Sequence, residues 1–314
     1  MEHLVTEHLV AEHLVAEHRA DRRLLLLHAH PDDETIMTGG TIARYLAEGV
    51  DVRVLTFTLG EEGEVIGDEW AQLVADGGAD QLGGYRIREL TDALAALSPV
   101  GSDPLRPRFL GGAGHWRDSG MAGSPSAEHP RALAQALFDD VVATLADVIA
   151  DFDPQVLVTY DMAGTYGHPD HKMVHTASMA AIPLVEARTG RDLVVWESVT
   201  ERSALQKGLA AAQSVPAGWR MPESGELPSY PDHEIDAEID ITTVYDHKVA
   251  GLRAHATQVT VAASGTEYAL SNNILQPIMA AEHFVLRSPR GRGAPSRRAT
   301  DLFTPIPFSP DGDV

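Results

Sequence analysis

At 314 residues the chain suits a single α/β domain with insertions better than two large domains. Its 44% hydrophobic content supplies a core, and 46 acids against 24 bases give a formal charge of −22, which repels phosphate backbones and anionic membranes. With no cysteine, disulfide scaffolds, thiolate nucleophiles and Cys-rich zinc sites are excluded, so any metal must be held by His, Asp or Glu.

Residues 1–21 repeat a five-residue unit (EHLVT, EHLVA, EHLVA, EHRAD) that spaces His3, His8, His13 and His18 evenly. A period of five fits neither a helix face nor a strand face, so the segment reads as a low-complexity extension. A non-catalytic metal-binding protein using these histidines is the alternative from another class. The segment has no hydrophobic h-region, and no apolar run reaches the roughly 20 residues of a membrane span. The expected location is cytoplasmic.

Residues 22–287 are expected to form one domain. Residues 23–28 (RLLLLH) are a continuous apolar run, as in a strand buried on both faces. Residues 50–58, 108–110, 155–160 and 193–199 also read as strands, with helices at 40–48, 80–97, 132–151 and 171–187. This alternation predicts an α/β fold, a Rossmann-like, open, mostly parallel sheet with helices on both faces. In such sheets ligands sit in the crevice beyond the carboxyl ends of the strands. From residue 288 to 314 the chain is rich in Pro, Gly and Arg and is expected to be a flexible tail.

The first strand runs directly into His28-Ala29-His30-Pro31-Asp32-Asp33-Glu34. If Pro31 turns the chain, His30 and Asp33 can converge on one ion and leave Asp32 unligated beside it. Imidazole with carboxylate suits zinc, and also iron(II). Helix capping would explain one acid here, but not two histidines and three acids. The strand at 155–160 leads into a second cluster, Tyr166-Gly167-His168-Pro169-Asp170-His171. Either His168 or His171 can supply the third ligand of a catalytic zinc that keeps one position for water. His175, one turn after His171, lacks the intervening glutamate of a paired zinc motif and reads as a packed histidine. A free carboxylate near such an ion can move protons, and an imidazole or phenol can steady an oxyanion. Asp32, His168 and Tyr166 are the available groups. A nucleotide-binding domain lacks support, because the first strand leads into HPDDE and not a Gly-rich phosphate loop.

At these residues the sequence resembles the LmbE/PIG-L family of metal-dependent N-acetylglucosaminyl deacetylases. The resemblance runs from residue 24 to 286. It takes in HAHPDDE, LGEEGEVIGD (59–68), DQLGGYRIREL (80–90), LGGAGHWRDSGMAG (110–123), YGHPDH, AHATQV (254–259), LSNN and PIMAAEHFVL. In that order the set is similar to the mycothiol-biosynthesis branch of the family. The resemblance implies an LmbE-like fold and one Zn2+ per chain, with Fe2+ as the other option, held by His30, Asp33 and His171. It implies Asp32 as general base and His168 as the group steadying the oxyanion or leaving group. Asp170 would orient and tune His168, and Tyr166 would polarise the substrate carbonyl. Glu64, Arg86 and Asp118 would hold sugar and inositol hydroxyls, although surface ion pairing also explains Arg86 and Asp118. His255 and Gln258 stand between a pocket border and core packing.

The implied substrate is a small-molecule amino-sugar inositol, N-acetylglucosaminyl-inositol, cleaved to acetate and the free amine. Neither nucleic acid nor membrane is expected as a partner. The sibling mycothiol S-conjugate amidase carries a lysine shortly after its HPDDE-type motif; here Thr35 to Gly40 contains none, which favours the deacetylase.

Overall fold

The computed structural model describes residues 21–287 and 297–304, so the four histidines of the N-terminal repeat lie outside the described residues. Four strands, β1 (Arg23–His28), β2 (Asp51–Thr56), β3 (Val156–Thr159) and β4 (Val194–Val199), pair in parallel. Two more, β5 (Ala237–Asp240) and β9 (Ala281–Leu286), extend the sheet antiparallel beyond β4, in the order β2-β1-β3-β4-β9-β5. A three-stranded sheet of β6 (Thr260–Val261), β7 (Glu267–Ala269) and β8 (Gln276–Pro277) stands apart.

Alternation along β1 sorts its side chains into two layers. Leu24 and Leu26 pack with Ile42 and Tyr45 of helix α1 (Asp33–Ala47) and with Leu90, Leu94 and Leu97 of α2 (Leu82–Leu97). Leu25 and Leu27 face the other way, onto Leu145 and Ile149 of α3 (Phe138–Phe152) and Val174 and Ala181 of α4 (Pro169–Thr189). A strand covered on both faces must be apolar throughout, which is why RLLLLH lacks the polar alternation of a surface strand. The chain leaves β1 toward β2 on one side, and β3 lies on its other side. The gap between the ends of β1 and β3 is therefore the topological switch point, where a crevice opens.

Three expectations need correction. Residues 108–110 form only a single bridge, Phe109 to Thr56, because Pro104 and Pro107 remove the donors a ladder needs. Helix α1 begins at Asp33, not at residue 40. Thr35, Thr38, Gly39 and Gly40 are poor helix formers, but all four are buried, and tertiary contacts override propensity. At Gly40 any Cβ would run into Ile241, and the Gly40 and Thr41 N–H groups turn to the Glu282 carboxylate at 2.9 and 2.8 Å. That carboxylate is also paired with buried Lys248 at 2.6 Å.

The third correction concerns the tail, since residues 297–304 are docked. Leu302 and Phe303 join the Leu24 layer, and the Trp196 indole N–H donates to the Leu302 carbonyl at 2.9 Å. The Tyr45 hydroxyl donates to Asp301 at 2.9 Å and accepts the Leu302 N–H at 2.7 Å. Arg298 spans the Glu201 and Glu238 carboxylates beside His283, so its guanidinium already balances that acidic group. Beyond Val199 the sequence reading assigned no elements. The strands there have two to six residues, and the helices α5 (Arg202–Ala211) and α6 (Tyr245–Ala254) have ten each, too short for strong periodicity.

Losing one partner of a buried ion pair leaves an uncompensated charge and costs about 3–5 kcal/mol. Lys248→Met is thus expected to destabilise the protein by that order in denaturant unfolding, and the double change Lys248→Met with Glu282→Gln by clearly less. Equal losses would show that Lys248 acts through packing and not through its charge.

Candidate active site

Both histidine clusters emerge at the switch point. After β1, Pro31 fixes one dihedral and Asp32 adopts φ 127° and ψ −33°, outside the regions that ordinary residues populate. Such a backbone costs on the order of 1–3 kcal/mol and persists only when its surroundings enforce it. Here the Asp32 N–H donates to Glu34 Oε2 at 2.9 Å, and the Asp32 carbonyl accepts from Thr35 and Ile36 at 3.0 and 2.9 Å. The side chain makes no capping bond, so it faces the crevice and does not serve the helix. Arg86 sits behind it, with Nη2 3.2 Å from Asp32 Oδ2.

After β3, Pro169 at the first helical position of α4 favours helix entry, and His168 takes the cap. Its Nδ1 accepts the Asp170 N–H at 3.2 Å, which leaves the proton of the neutral ring on Nε2. His171 follows on the first turn. The His30 ring lies 4.6 Å from that of His168 and 5.3 Å from that of His171, centroid to centroid.

The Asp33 carboxylate stands 3.3 Å from His30 Nδ1 and 3.4 Å from His171 Nε2. Ligands held about 2.0–2.1 Å from zinc in a tetrahedron stand about 3.3–3.5 Å apart, so these separations suit such an ion. Both ring nitrogens of His171 are buried without a hydrogen-bond partner, a state that demands an explanation and that an ion at Nε2 provides. Around His30, ligand atoms all within 4.8 Å of one another are found for His30 with His168 and His171 and for His30 with Asp118 and Asp170. Asp118 also accepts the Gly120 and Glu62 N–H groups, Asp170 accepts both the N–H and the hydroxyl of Ser119, and Asp33 Oδ2 accepts the His30 N–H and the Tyr160 hydroxyl. His30 is common to every arrangement.

Electrostatics agree. Asp32, Asp33, Asp118 and Asp170 gather around His30, whose Nε2 lies 3.3 Å from both Asp118 and Asp170. Burial works against the charged His30 ring, yet these carboxylates outweigh it and hold its pKa well above the ordinary value. Burial likewise opposes ionisation of Asp33, but the neighbouring His171 and His30 keep it well below the usual carboxylate range. Burial pushes Asp32 up to about 6, with Arg86 opposing and Asp33 adding. Burial, then the neighbouring His30 and His171, lowers His168 to about 3, so that ring is neutral near pH 7.

The other expected residues surround this set. Arg86 is buried at the cavity lining and bonded to Gly60 O at 2.7 Å, to Pro31 O and to Asp32, so it braces the Asp32 carboxylate. Asp118, expected to contact the sugar, lines the cavity and also faces His30. The carboxylate of Asp170 orients His30 and not His168, which Asp170 holds only through its backbone N–H. Glu64 is exposed at the cavity wall and accepts from Ser271 at 2.8 Å. Tyr166 lines the cavity with its ring 5.2 Å from that of His171. His255 is sealed in a pair with Glu34 at 2.8 Å, whereas Gln258 borders the cavity. His175 packs against the Tyr160 carbonyl at 2.9 Å, as a core histidine would.

Sequence reasoning missed Tyr160, Ser119 and Glu34. In the sequence Tyr160 reads only as the last residue of a strand, although a hydroxyl at a strand end beside a His/Asp cluster is itself a signal.

The cavity holds about 1480 Å³. Its lining mixes polar groups, among them Glu62, Arg117, Ser271 and Asn272, with apolar ones, among them Met37, Met121, Leu227 and Ile278. The purified protein is expected to bind one zinc ion per chain. His171→Ala should weaken binding by more than the roughly 10- to 100-fold typical of losing a supporting group. Equilibrium dialysis with metal quantitation checks this, and unchanged stoichiometry and affinity in His171→Ala would refute the ligand set.

Residues 25–182 match the family PIG-L, GlcNAc-PI de-N-acetylase. A 1D-myo-inositol 2-acetamido-2-deoxy-alpha-D-glucopyranoside deacetylase of Gordonia bronchialis is 69% identical over 284 residues, covering 90% of this chain and 100% of that protein. Its namesake in Rhodococcus jostii is 57% identical over 292 residues, covering 90% of this chain and 98% of that protein. Among solved structures, GalB, the 4-carboxy-2-hydroxymuconate hydratase of Pseudomonas putida, aligns with a TM-score of 0.52 at 18% identity, covering 86% of this chain and 97% of that one. That likeness bears on the fold alone.

Proposed function

The chain belongs to the PIG-L family, and on that premise we propose that it removes the N-acetyl group from 1D-myo-inositol 2-acetamido-2-deoxy-alpha-D-glucopyranoside, releasing acetate and the free amine. It is a deacetylase, a hydrolase of a linear amide. The observation that carries the reading is that Asp33 stands against both His30 and His171, with the Asp32 carboxylate beside them at the crevice and braced by Arg86.

His30, Asp33 and His171 would hold one divalent ion, zinc or iron(II), which supplies a water of lowered pKa and polarisation of the acetamide carbonyl. Asp32 accepts the proton of the attacking water as the carbon–oxygen bond forms. Its strained backbone and the Arg86 brace fix the carboxylate in the crevice before substrate arrives. The tetrahedral oxyanion meets the Nε2–H of neutral His168. Burial holds the Tyr166 phenol well above its ordinary pKa, so it too remains a donor. As the carbon–nitrogen bond breaks, Asp32 returns the proton to the leaving amine. The polar lining groups Glu64, Arg117 and Asn272 suit a ligand dense in hydroxyls. Among the described residues, no helix is long and apolar enough to cross a membrane.

A second reading, cleavage of the amide in a mycothiol S-conjugate, draws on the cavity. Its volume exceeds the roughly 300–1,000 Å³ of common small-ligand sites, and its apolar lining groups suit the added group. Side-by-side kinetics with the two substrates decide between them, with a higher kcat/KM expected on the N-acetylated amino-sugar inositol. Chelation is expected to abolish amine release. Asp32→Ala is expected to cut kcat by about 10²- to 10⁴-fold while zinc still binds. Full activity after chelation, or in Asp32→Ala, would remove this mechanism.

A further inference from the structure

One residue past β3, the Tyr160 side chain is 1% exposed and lies outside the cavity lining. It touches two candidate ligands that come from different helices. Its hydroxyl accepts the Ala29 N–H at 2.8 Å and donates to Asp33 Oδ2 at 2.7 Å. A phenol has one proton, and the Ala29 N–H can only point inward, so that proton is committed to Asp33. The ring face stacks on His171, with centroids 4.1 Å apart and planes 19° apart. The His28 ring abuts Tyr160 edge-on at 5.9 Å, and the Tyr160 carbonyl is held by His175.

One rigid side chain thus sets the rotation of a carboxylate on α1 and the plane of an imidazole on α4. It has no route to substrate, and its remaining contacts are satisfied. Rotation of Asp33 is otherwise opposed on that oxygen by the His30 N–H at 2.9 Å. Neither of the other supports, Ser119 on Asp170 or Asp170 on His30, reaches Asp33 or His171.

We propose that Tyr160 is a positioning residue that sets the affinity of the His30, Asp33 and His171 site for its divalent ion, through the hydrogen bond to Asp33 and the stack on His171. This rests on the metal-site reading above. Groups that orient metal ligands in this way are worth about 10- to 100-fold in affinity. Tyr160→Phe keeps the stack and removes only the hydroxyl.

The test is chelator competition for zinc on the wild-type protein, Tyr160→Phe and His171→Ala, together with the visible spectrum of each loaded with cobalt(II). Tyr160→Phe is expected to bind zinc about 10- to 100-fold more weakly and to shift the cobalt bands. At saturating zinc its KM for the amino-sugar substrate should match wild type. If wild type binds zinc no better than His171→Ala, the metal-site reading fails. If wild type binds well and Tyr160→Phe binds equally well with the same cobalt spectrum, the proposal alone is overturned. Circular dichroism and thermal unfolding in chelator complete the set: a Tyr160→Phe chain that has lost its fold also overturns it, since the hydroxyl then serves the fold and not the ion.

Discussion

Buried like charge is the constraint on which the rest of the structure depends. Asp32, Asp33, Asp118 and Asp170 crowd around the ends of β1 and β3, and desolvation opposes the ionised form of each. Such a cluster is tolerable only where cations and oriented donors compensate it. Arg86 faces Asp32, His30 and His171 face Asp33, and backbone N–H groups face Asp118 and Asp170. What is left is the negative field around His30 beside a His171 ring whose nitrogens make no hydrogen bond, conditions that suit a divalent cation.

The sheet makes that crowding geometrically available. Parallel strands deliver their following residues to one edge, and the reversal between β1 and β3 opens a space there. Similarity to a hydratase at the level of fold shows that the scaffold does not dictate the reaction. What decides the chemistry is which groups stand at the strand ends and which of them keep an unused atom. Asp32 keeps its carboxylate facing the crevice, His168 keeps Nε2, and Tyr166 keeps its hydroxyl, whereas His175 and His255 have spent theirs on core contacts.

The parallel half of the sheet and both ligand clusters were legible because apolar runs and His/Asp clusters are local patterns. RLLLLH followed by HPDDE needs no long-range information to read. The direction in which a side chain points is not local. Arg86 reads as a contact for substrate hydroxyls, or else as a surface cation, until α2 is seen to tuck it beneath Gly60 and Pro31. Asp170 reads as a partner of adjacent His168, yet its carboxylate reaches His30, 140 positions away. Residues 297–304 sit beside a tract rich in Pro, Gly and Arg, and composition alone conceals that Leu302 and Phe303 have a core to enter.

The Glu282 carboxylate that receives the Gly40 and Thr41 N–H groups carries an implication for the order of assembly on the ribosome. Glu282 lies 242 positions after Gly40, and the first turns of the same helix carry Asp33 and Glu34. A nascent chain can pack this helix onto β1 and α2 early, but the carboxylate that holds the Gly40 and Thr41 N–H groups arrives only with the last strand. The helix that follows HPDDE therefore receives its final support from the carboxyl-terminal part of the chain.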